Sequence, residues 1–292
     1  MDFGRLIVAM ATPFKNNLEL DIEKAGQLAR RLVADGVDGL VVSGTTGESP
    51  TLSREEKIDL IKMTKKSVNV PIIANAGTND TRASIRNAKD AEEAGADGIL
   101  LVVPYYNKPD QGMLYDHFAA IASSVRIPSM LYNVPGRTAV SVKAETVVRL
   151  SRDVPNIKMV KEASGNLDAL TLIVNEAAEG FVAYTGEDSL TLPSLAVGAY
   201  GVVSVTGHVA GRMMKDMIEA YVRGDVAKAA KLHGKLRAIN EALFLQPNPV
   251  PVKTALKLCG FDAGGLRPPL KEASPEVTAA LRKALAELGL LK

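Results

Sequence analysis

A lysine at the end of an apolar run is the first residue that invites chemistry. The run is Ile157-Lys158-Met159-Val160-Lys161, followed by Glu162-Ala163-Ser164. Alternation along a strand sets Ile157, Met159 and Lys161 on one face and Lys158 and Val160 on the other. Burial disfavours an ammonium, and a neutral amine is the form that attacks a carbonyl to give a Schiff base. If this face lines a closed barrel, Lys161 stands in a largely dry mouth. A lysine that simply leaves a strand end for water is the ordinary alternative, and this strand alone favours it.

Four further stretches carry reactive or binding groups. Gly44-Thr45-Thr46-Gly47-Glu48-Ser49 sets two hydroxyls between glycines. Its backbone amides could approach a carboxylate, or its glycines could merely turn the chain. Tyr105-Tyr106-Asn107 is an aromatic pair of the kind enriched at interfaces. Tyr132 sits in an aliphatic strand, where a tyrosine is ordinarily core with a bonded hydroxyl. It opens the stretch Tyr132-Asn133-Val134-Pro135-Gly136-Arg137-Thr138. Arg137 would hold a carboxylate in a two-pronged grip at a pocket mouth, and otherwise would be solvated. The last stretch is Thr185-Gly186-Glu187-Asp188.

Positioning these groups needs a scaffold, and the hydrophobic pattern supplies one. Short aliphatic runs at residues 5–10, 37–43, 70–76, 98–103, 127–134, 157–162, 181–185 and 202–206 predict eight strands. Between them lie helical periodicities. In the first, Asp21 is a cap and Ile22, Ala25, Leu28, Ala29, Leu32 and Val33 share a face. The second starts near Ser53, with Glu55 and Glu56 close to its positive end. Eight strands alternating with eight helices over about 220 residues predict an α/β fold, a closed (β/α)8 barrel of the TIM type. The runs are continuously aliphatic, as in strands covered on both faces. No glycine-rich dinucleotide loop follows the first strand, which disfavours an open doubly wound sheet. The barrel is expected over residues 1–224 and a C-terminal helical region over 225–292. That region has a helix from Val226, a breaker at Asn248-Pro249-Val250-Pro251, a short helix to Leu258, and a second break at Pro268-Pro269. A last helix is capped by Ser274 with Pro275 just inside. In this fold active sites sit at the C-terminal ends of the strands. Every stretch named above falls there.

Composition narrows the function classes. Hydrophobic residues make up 47% of 292, enough for a sizeable core. Thirty-five basic against 33 acidic side chains give no argument for nucleic acid or an anionic membrane. No apolar run is long enough for a membrane helix. One cysteine, Cys259, excludes an internal disulfide. With no signal peptide visible at Met1-Asp2-Phe3, the expected location is cytoplasmic. His117, His208 and His233 lie far apart without ligand spacing, so they read as ordinary side chains rather than a metal site.

Taken jointly, Gly44-Thr45-Thr46-Gly47-Glu48, Tyr105-Tyr106-Asn107, Tyr132 to Thr138 and Lys161-Glu162-Ala163-Ser164 resemble the dihydrodipicolinate synthase family of class I pyruvate-dependent aldolases. The resemblance spans essentially the whole chain. It implies that Lys161 forms a Schiff base with pyruvate and that Tyr132 shuttles protons. It implies that Thr45 links its hydroxyl to that of Tyr106 from a neighbouring subunit. Thr46 would bind the pyruvate carboxylate and Arg137 the carboxylate of L-aspartate 4-semialdehyde. Gly186 and the backbone carbonyl of Val203 would line the pocket. The implied assembly is a homotetramer built as a dimer of tight dimers, with no metal or dissociable cofactor. Two departures stand out. The segment Ala76 to Asp80 is two residues shorter than the common pattern, and Gln246 stands where many members carry glutamate.

Relatives such as sialic acid lyases and 2-keto-3-deoxy sugar acid aldolases share the lysine and tyrosine but usually lack the arginine. A non-catalytic pyruvate-binding barrel is the alternative of another class. Feedback by L-lysine is expected to be feeble or absent. The resemblance puts Ser49, Asn79 and Tyr105 in the lysine pocket, yet Arg54 and Lys57 stand at its histidine positions and Ala83 at its glutamate position. Extra cations and a missing carboxylate oppose an ammonium ligand.

Overall fold

The eight aliphatic runs become eight short strands: β1 (Leu6–Ala9), β2 (Gly39–Val42), β3 (Ile72–Asn75), β4 (Gly98–Val102), β5 (Ser129–Asn133), β6 (Ile157–Glu162), β7 (Val182–Thr185) and β8 (Gly201–Ser204). We describe them from a computed structural model, in which residues 2–291 are described. In sequence order the strands close into a barrel, and neighbours pair in parallel, as between β1 and β2 and from β3 through β8. The helices are α1 (Ile22–Ala34), α2 (Arg54–Ser67), α3 (Thr81–Glu93), α4 (Gln111–Ala122), α5 (Pro135–Thr138) and α6 (Ala144–Asp153). They continue with α7 (Leu167–Glu176), α8 (Thr191–Ala196), α9 (Gly207–Val222), α10 (Val226–Ala242), α11 (Val250–Leu258) and α12 (Pro275–Glu287). The last three lie beyond the barrel.

By compactness the chain divides into two units, Pro71–Val203 and the remainder, up to Val70 and from Ser204 onward. In the first, β4, β5 and β6 are buried almost throughout, as strands covered on both faces must be. Capping side chains fix the helix starts. Asp80 accepts from the amides of Arg82 and Ala83 at α3, and Asn166 from Ala169 at α7. The register between β5 and β6 jumps. Ser129 pairs with Ile157 while Met130 pairs with Met159, so Lys158 is an extra, exposed residue. Alternation counted from Ile157 is therefore interrupted at a bulge. From Met159 onward it holds, and Met159 and Lys161 share a face.

In the other unit Asp21 caps α1 and a reciprocal Ser53–Glu56 capping box starts α2. The C-terminal segment is fastened to the first quarter of the chain by backbone and side-chain bonds. Phe14 N donates to Ala263 O (3.0 Å), and Arg31 donates to Cys259 O (3.0 Å). Gly264 has φ +75°, and a Cβ there would lie 1.8 Å from Phe14 O, so no other residue fits. The apolar periodicity after the eighth run predicts a helix from Arg212 to Val222, whereas α9 begins at Gly207 and is kinked at Ala210. His208 explains the extension. Its Nε2 accepts from Ala11 N (3.0 Å) while Nδ1 donates to Val205 O (2.8 Å). A buried polar side chain thus ties the first turn into the core, where a hydrophobicity count sees a break.

Candidate active site

Strand register brings together the predicted residues of β5 and β6. Across β5 and β6, Tyr132 lies opposite Lys161 and Asn133 opposite Glu162. Lys161 is 7% exposed, and its Nζ stands 4.3 Å from the centre of the Tyr132 ring. A buried amine thus rests against a buried phenol. Gly186, just after β7, donates its N–H to Glu162 O (2.7 Å). A Cβ at Gly186 would lie 2.8 Å from Lys161 Cε and 2.6 Å from Ala163 Cβ. The glycine is required for the lysine side chain to lie where it does. Val203 is fully buried in β8.

Arg137 lies exposed on α5, a single turn that the sequence pattern does not predict. Pro135 at its first position and the bond from Thr138 Oγ1 to Val140 O (2.7 Å) set the turn. Glu187, next to Gly186, is half-buried. Burial and the Asp188 carboxylate push its pKa up, and the charges of Lys161 and Arg137 pull it back. Glu187 is therefore within electrostatic reach of both cations. Burial likewise pushes Glu162 up, opposed by hydrogen bonds from Ser164 and Asn133. Tyr106 is 89% exposed with φ +75°, a conformation rare outside glycine.

The predicted threonines stand on the loop after β2, in the other unit. That loop is bent by left-handed residues at both ends, Ser43 (φ 55°) and Glu48 (φ 56°). Glu48 N donates to Thr45 O (3.0 Å), and Ser49 N to Gly44 O (3.1 Å). Asn248 Nδ2 donates to Thr46 Oγ1 (2.8 Å). Glu48 is buried and pairs with buried Lys253, Nζ to Oε1 2.6 Å. Lys253 also donates to Gly265 O (2.7 Å) and lies 4.2 Å from the centre of the Phe14 ring. Burial holds the Lys253 ammonium below the usual lysine range, partly offset by Glu48. Arg267 completes the network. Its backbone N–H donates to Glu48 Oε2 (2.9 Å), and its guanidinium forks onto Glu56 (2.6 and 2.8 Å).

The Lys161 amine can do nucleophilic chemistry on a carbonyl, with the Tyr132 phenol beside it for proton transfer. Among the described residues no cluster of three or more histidine, cysteine, aspartate or glutamate side chains could hold a metal. Among them, too, no helix is long and apolar enough to cross a membrane.

The profile of the Dihydrodipicolinate synthetase family matches residues 2–288. The chain belongs to this family. A 4-hydroxy-tetrahydrodipicolinate synthase of Bacillus subtilis is 51% identical over 290 residues, covering 99% of this chain and 100% of that one. The crystal structure of a DHDPS from Cyanidioschyzon merolae with lysine bound superposes with a TM-score of 0.97 at 43% identity, covering 99% of each chain. A dihydrodipicolinate synthase from Bacillus anthracis gives 0.95 at 46% identity, covering 98% of each. As a member of the dihydrodipicolinate synthetase family, the chain is a class I pyruvate-dependent aldolase.

Knowing the family motifs does not expose every residue that shapes the site. Asn248 reads from sequence only as part of a proline-rich breaker, yet it holds Thr46. Lys253 sits in a short helix with no motif, and its partner Glu48 is 205 positions away in the chain. Glu187 is visible as a strand-end residue without a role. No local signal marks any of the three, because each acts through a contact with a distant or differently placed group.

Proposed function

We propose that the enzyme condenses pyruvate with L-aspartate 4-semialdehyde to give 4-hydroxy-tetrahydrodipicolinate, the first committed step of the diaminopimelate route to L-lysine. It is a lyase. Full-length relatives of that name at 51% identity support the reaction. The observation that carries the mechanism is the buried Lys161 amine against Tyr132. Lys161 adds to the pyruvate carbonyl and expels water, giving an iminium. The iminium accepts electron density as the methyl group loses a proton, leaving an enamine. The enamine carbon bonds to the aldehyde carbon, whose oxygen takes a proton. The substrate amine then closes onto the iminium carbon, and the Lys161 nitrogen leaves with a proton. Positioned proton transfers and carboxylate binding suffice for every step.

In this reading Tyr132 moves protons to and from the adduct, and Thr45 joins the relay with Tyr106 supplied by a second subunit. The exposure and left-handed backbone of Tyr106 support a side chain presented outward. Thr46 binds the pyruvate carboxylate, with Asn248 fixing its hydroxyl. Gly186 and the carbonyl of Val203 line the pocket. Arg137 receives the carboxylate of the semialdehyde, which favours this reaction over sugar-acid aldolase or sialic acid lyase chemistry. The enzyme works in the cytoplasm as a homotetramer of two tight dimers.

Borohydride reduction in the presence of pyruvate, followed by peptide mass mapping, tests the nucleophile. The label should fall on Lys161 and vanish in Lys161→Ala. A label on Lys158, or none, overturns the mechanism. Arg137→Ala should still trap pyruvate yet lose turnover with the semialdehyde, and unchanged semialdehyde kinetics would overturn the Arg137 reading.

A further inference from the structure

We propose that Asn133 and Glu162 form a latch that sets the position of the Arg137 loop, so that both are positioning residues for the second substrate. The inference rests on Arg137 as the receiver of that substrate's carboxylate. Neither residue faces as Tyr132 and Lys161 do, since each is the next residue on its strand.

The loop leaves β5 at Val134 and comes back to the same asparagine. Asn133 Oδ1 accepts from Val142 N (3.1 Å) and lies 3.2 Å from the Ser141 hydroxyl. On the strand side Asn133 Nδ2 donates to both Glu162 oxygens (2.9 and 3.1 Å). Glu162 Oε1 also accepts from Ser164 N (2.8 Å). One amide therefore joins the loop's exit, the loop's return and the strand that carries Lys161. Inside the loop Arg137 N and Thr138 N both donate to Val134 O, and Ala139 turns in a left-handed conformation. The loop is thus a closed, self-bonded unit pinned at its base. The Arg137 side chain itself is exposed. Where its guanidinium stands is inherited from this backbone.

Glu162 is a costly way to pin a loop. It is buried, its bonding partners are neutral donors, and burial pushes its pKa up. A carboxylate can accept from Asn133 and Ser164 at once. A glutamine in its place would turn an N–H2 toward the donor group of Asn133. The residue type matches the role of double acceptor.

The test is a reciprocal exchange. Asn133→Asp removes the amide donor and sets two carboxyls face to face, which can bond only while one of them holds a proton, so the assay is run well above the usual carboxylate range. Misplacing a binding group by about 1 Å costs up to roughly a hundredfold in rate. We expect the KM for aspartate semialdehyde to rise roughly 10- to 100-fold. Borohydride trapping with pyruvate and the pyruvate KM should stay within about twofold of wild type, less than a 1 kcal/mol change. In the double variant Asn133→Asp, Glu162→Gln the glutamine donates and the aspartate accepts, so the semialdehyde KM should return most of the way. Equal loss for both substrates, or no rescue by the exchange, overturns the latch in favour of a general structural role. Arg137→Ala is measured alongside. If it leaves the semialdehyde KM unchanged, the Arg137 reading fails, and the latch with it. If it raises that KM and Asn133→Asp does not, the latch alone fails. Should the aspartate variant not fold, Ser141→Ala cuts the exposed side of the latch. It should shift the semialdehyde KM alone, and no shift overturns the proposal.

Discussion

Replacing Lys253 with methionine should destabilise the protein far more than its distance from Lys161 in the sequence suggests. Lys253 is 4% exposed and Glu48 3% exposed, with the ammonium 2.6 Å from the carboxylate. Methionine fills much of the same volume and can still lie against Phe14. It cannot neutralise Glu48 or bond Gly265 O. Glu48 would keep the Arg267 backbone N–H on Oε2 while Oε1 stayed buried without its cation. Breaking a buried pair from one side costs about 3–5 kcal/mol, because the remaining charge is left uncompensated. At about 2 cal/mol/K per residue, a chain of 292 residues has an unfolding entropy near 0.6 kcal/mol/K. The expected fall in Tm is therefore about 5–8 °C. Adding Glu48→Gln removes the stranded charge, so the double variant should be more stable than Lys253→Met alone. Differential scanning calorimetry at one scan rate and one protein concentration measures both. A single variant within about 1 °C of wild type, under 1 kcal/mol on this scale, would refute the reasoning. So would a double variant whose losses simply add.

Three further outcomes follow from the same contacts. Gly186→Ala should slow pyruvate trapping strongly, since the new Cβ lies 2.8 Å from Lys161 Cε and 2.6 Å from Ala163 Cβ; overpacking of this kind typically costs about 1–3 kcal/mol, and trapping at the wild-type rate would show that the lysine does not need this glycine. Burial lowers the His208 imidazole from 6.5 to about 4. Between those values the unfolded chain binds the extra proton, so the contribution is complete above about pH 6.5 and is lost as pH falls toward 4, a total of about 3 kcal/mol. Urea titrations across that window should show a shallower loss in His208→Asn than in wild type, and equal slopes would remove His208 from the account. L-lysine titrated into an initial-rate assay at near-KM pyruvate should inhibit feebly, because Arg54, Lys57 and Ala83 oppose an ammonium; half-inhibition well below about 1 mM, the weak end of the affinity scale, would contradict that.

The sequence determined the barrel and named the candidate reactive residues at its strand ends. Aliphatic runs alternating with 3.6-residue periodicities are local patterns, and eight of each leave little choice of architecture. Lys161, Tyr132, Arg137 and the two threonines could be picked out as candidates because they stand in motifs at strand ends. Cap residues such as Asp21, Ser53 and Ser274 were legible for the same reason, since a cap bonds within its own turn. The tertiary structure decided what depends on residues far apart meeting. The bulge at Lys158 comes from pairing with β5, which no property of β6 alone specifies. The early start of α9 comes from His208 reaching Ala11 across almost 200 positions. Nothing in the sequence signals that Asn133 pairs with Glu162, or Glu48 with Lys253. Buried together they are obliged to satisfy one another, because a polar group removed from water must find its partner within the fold.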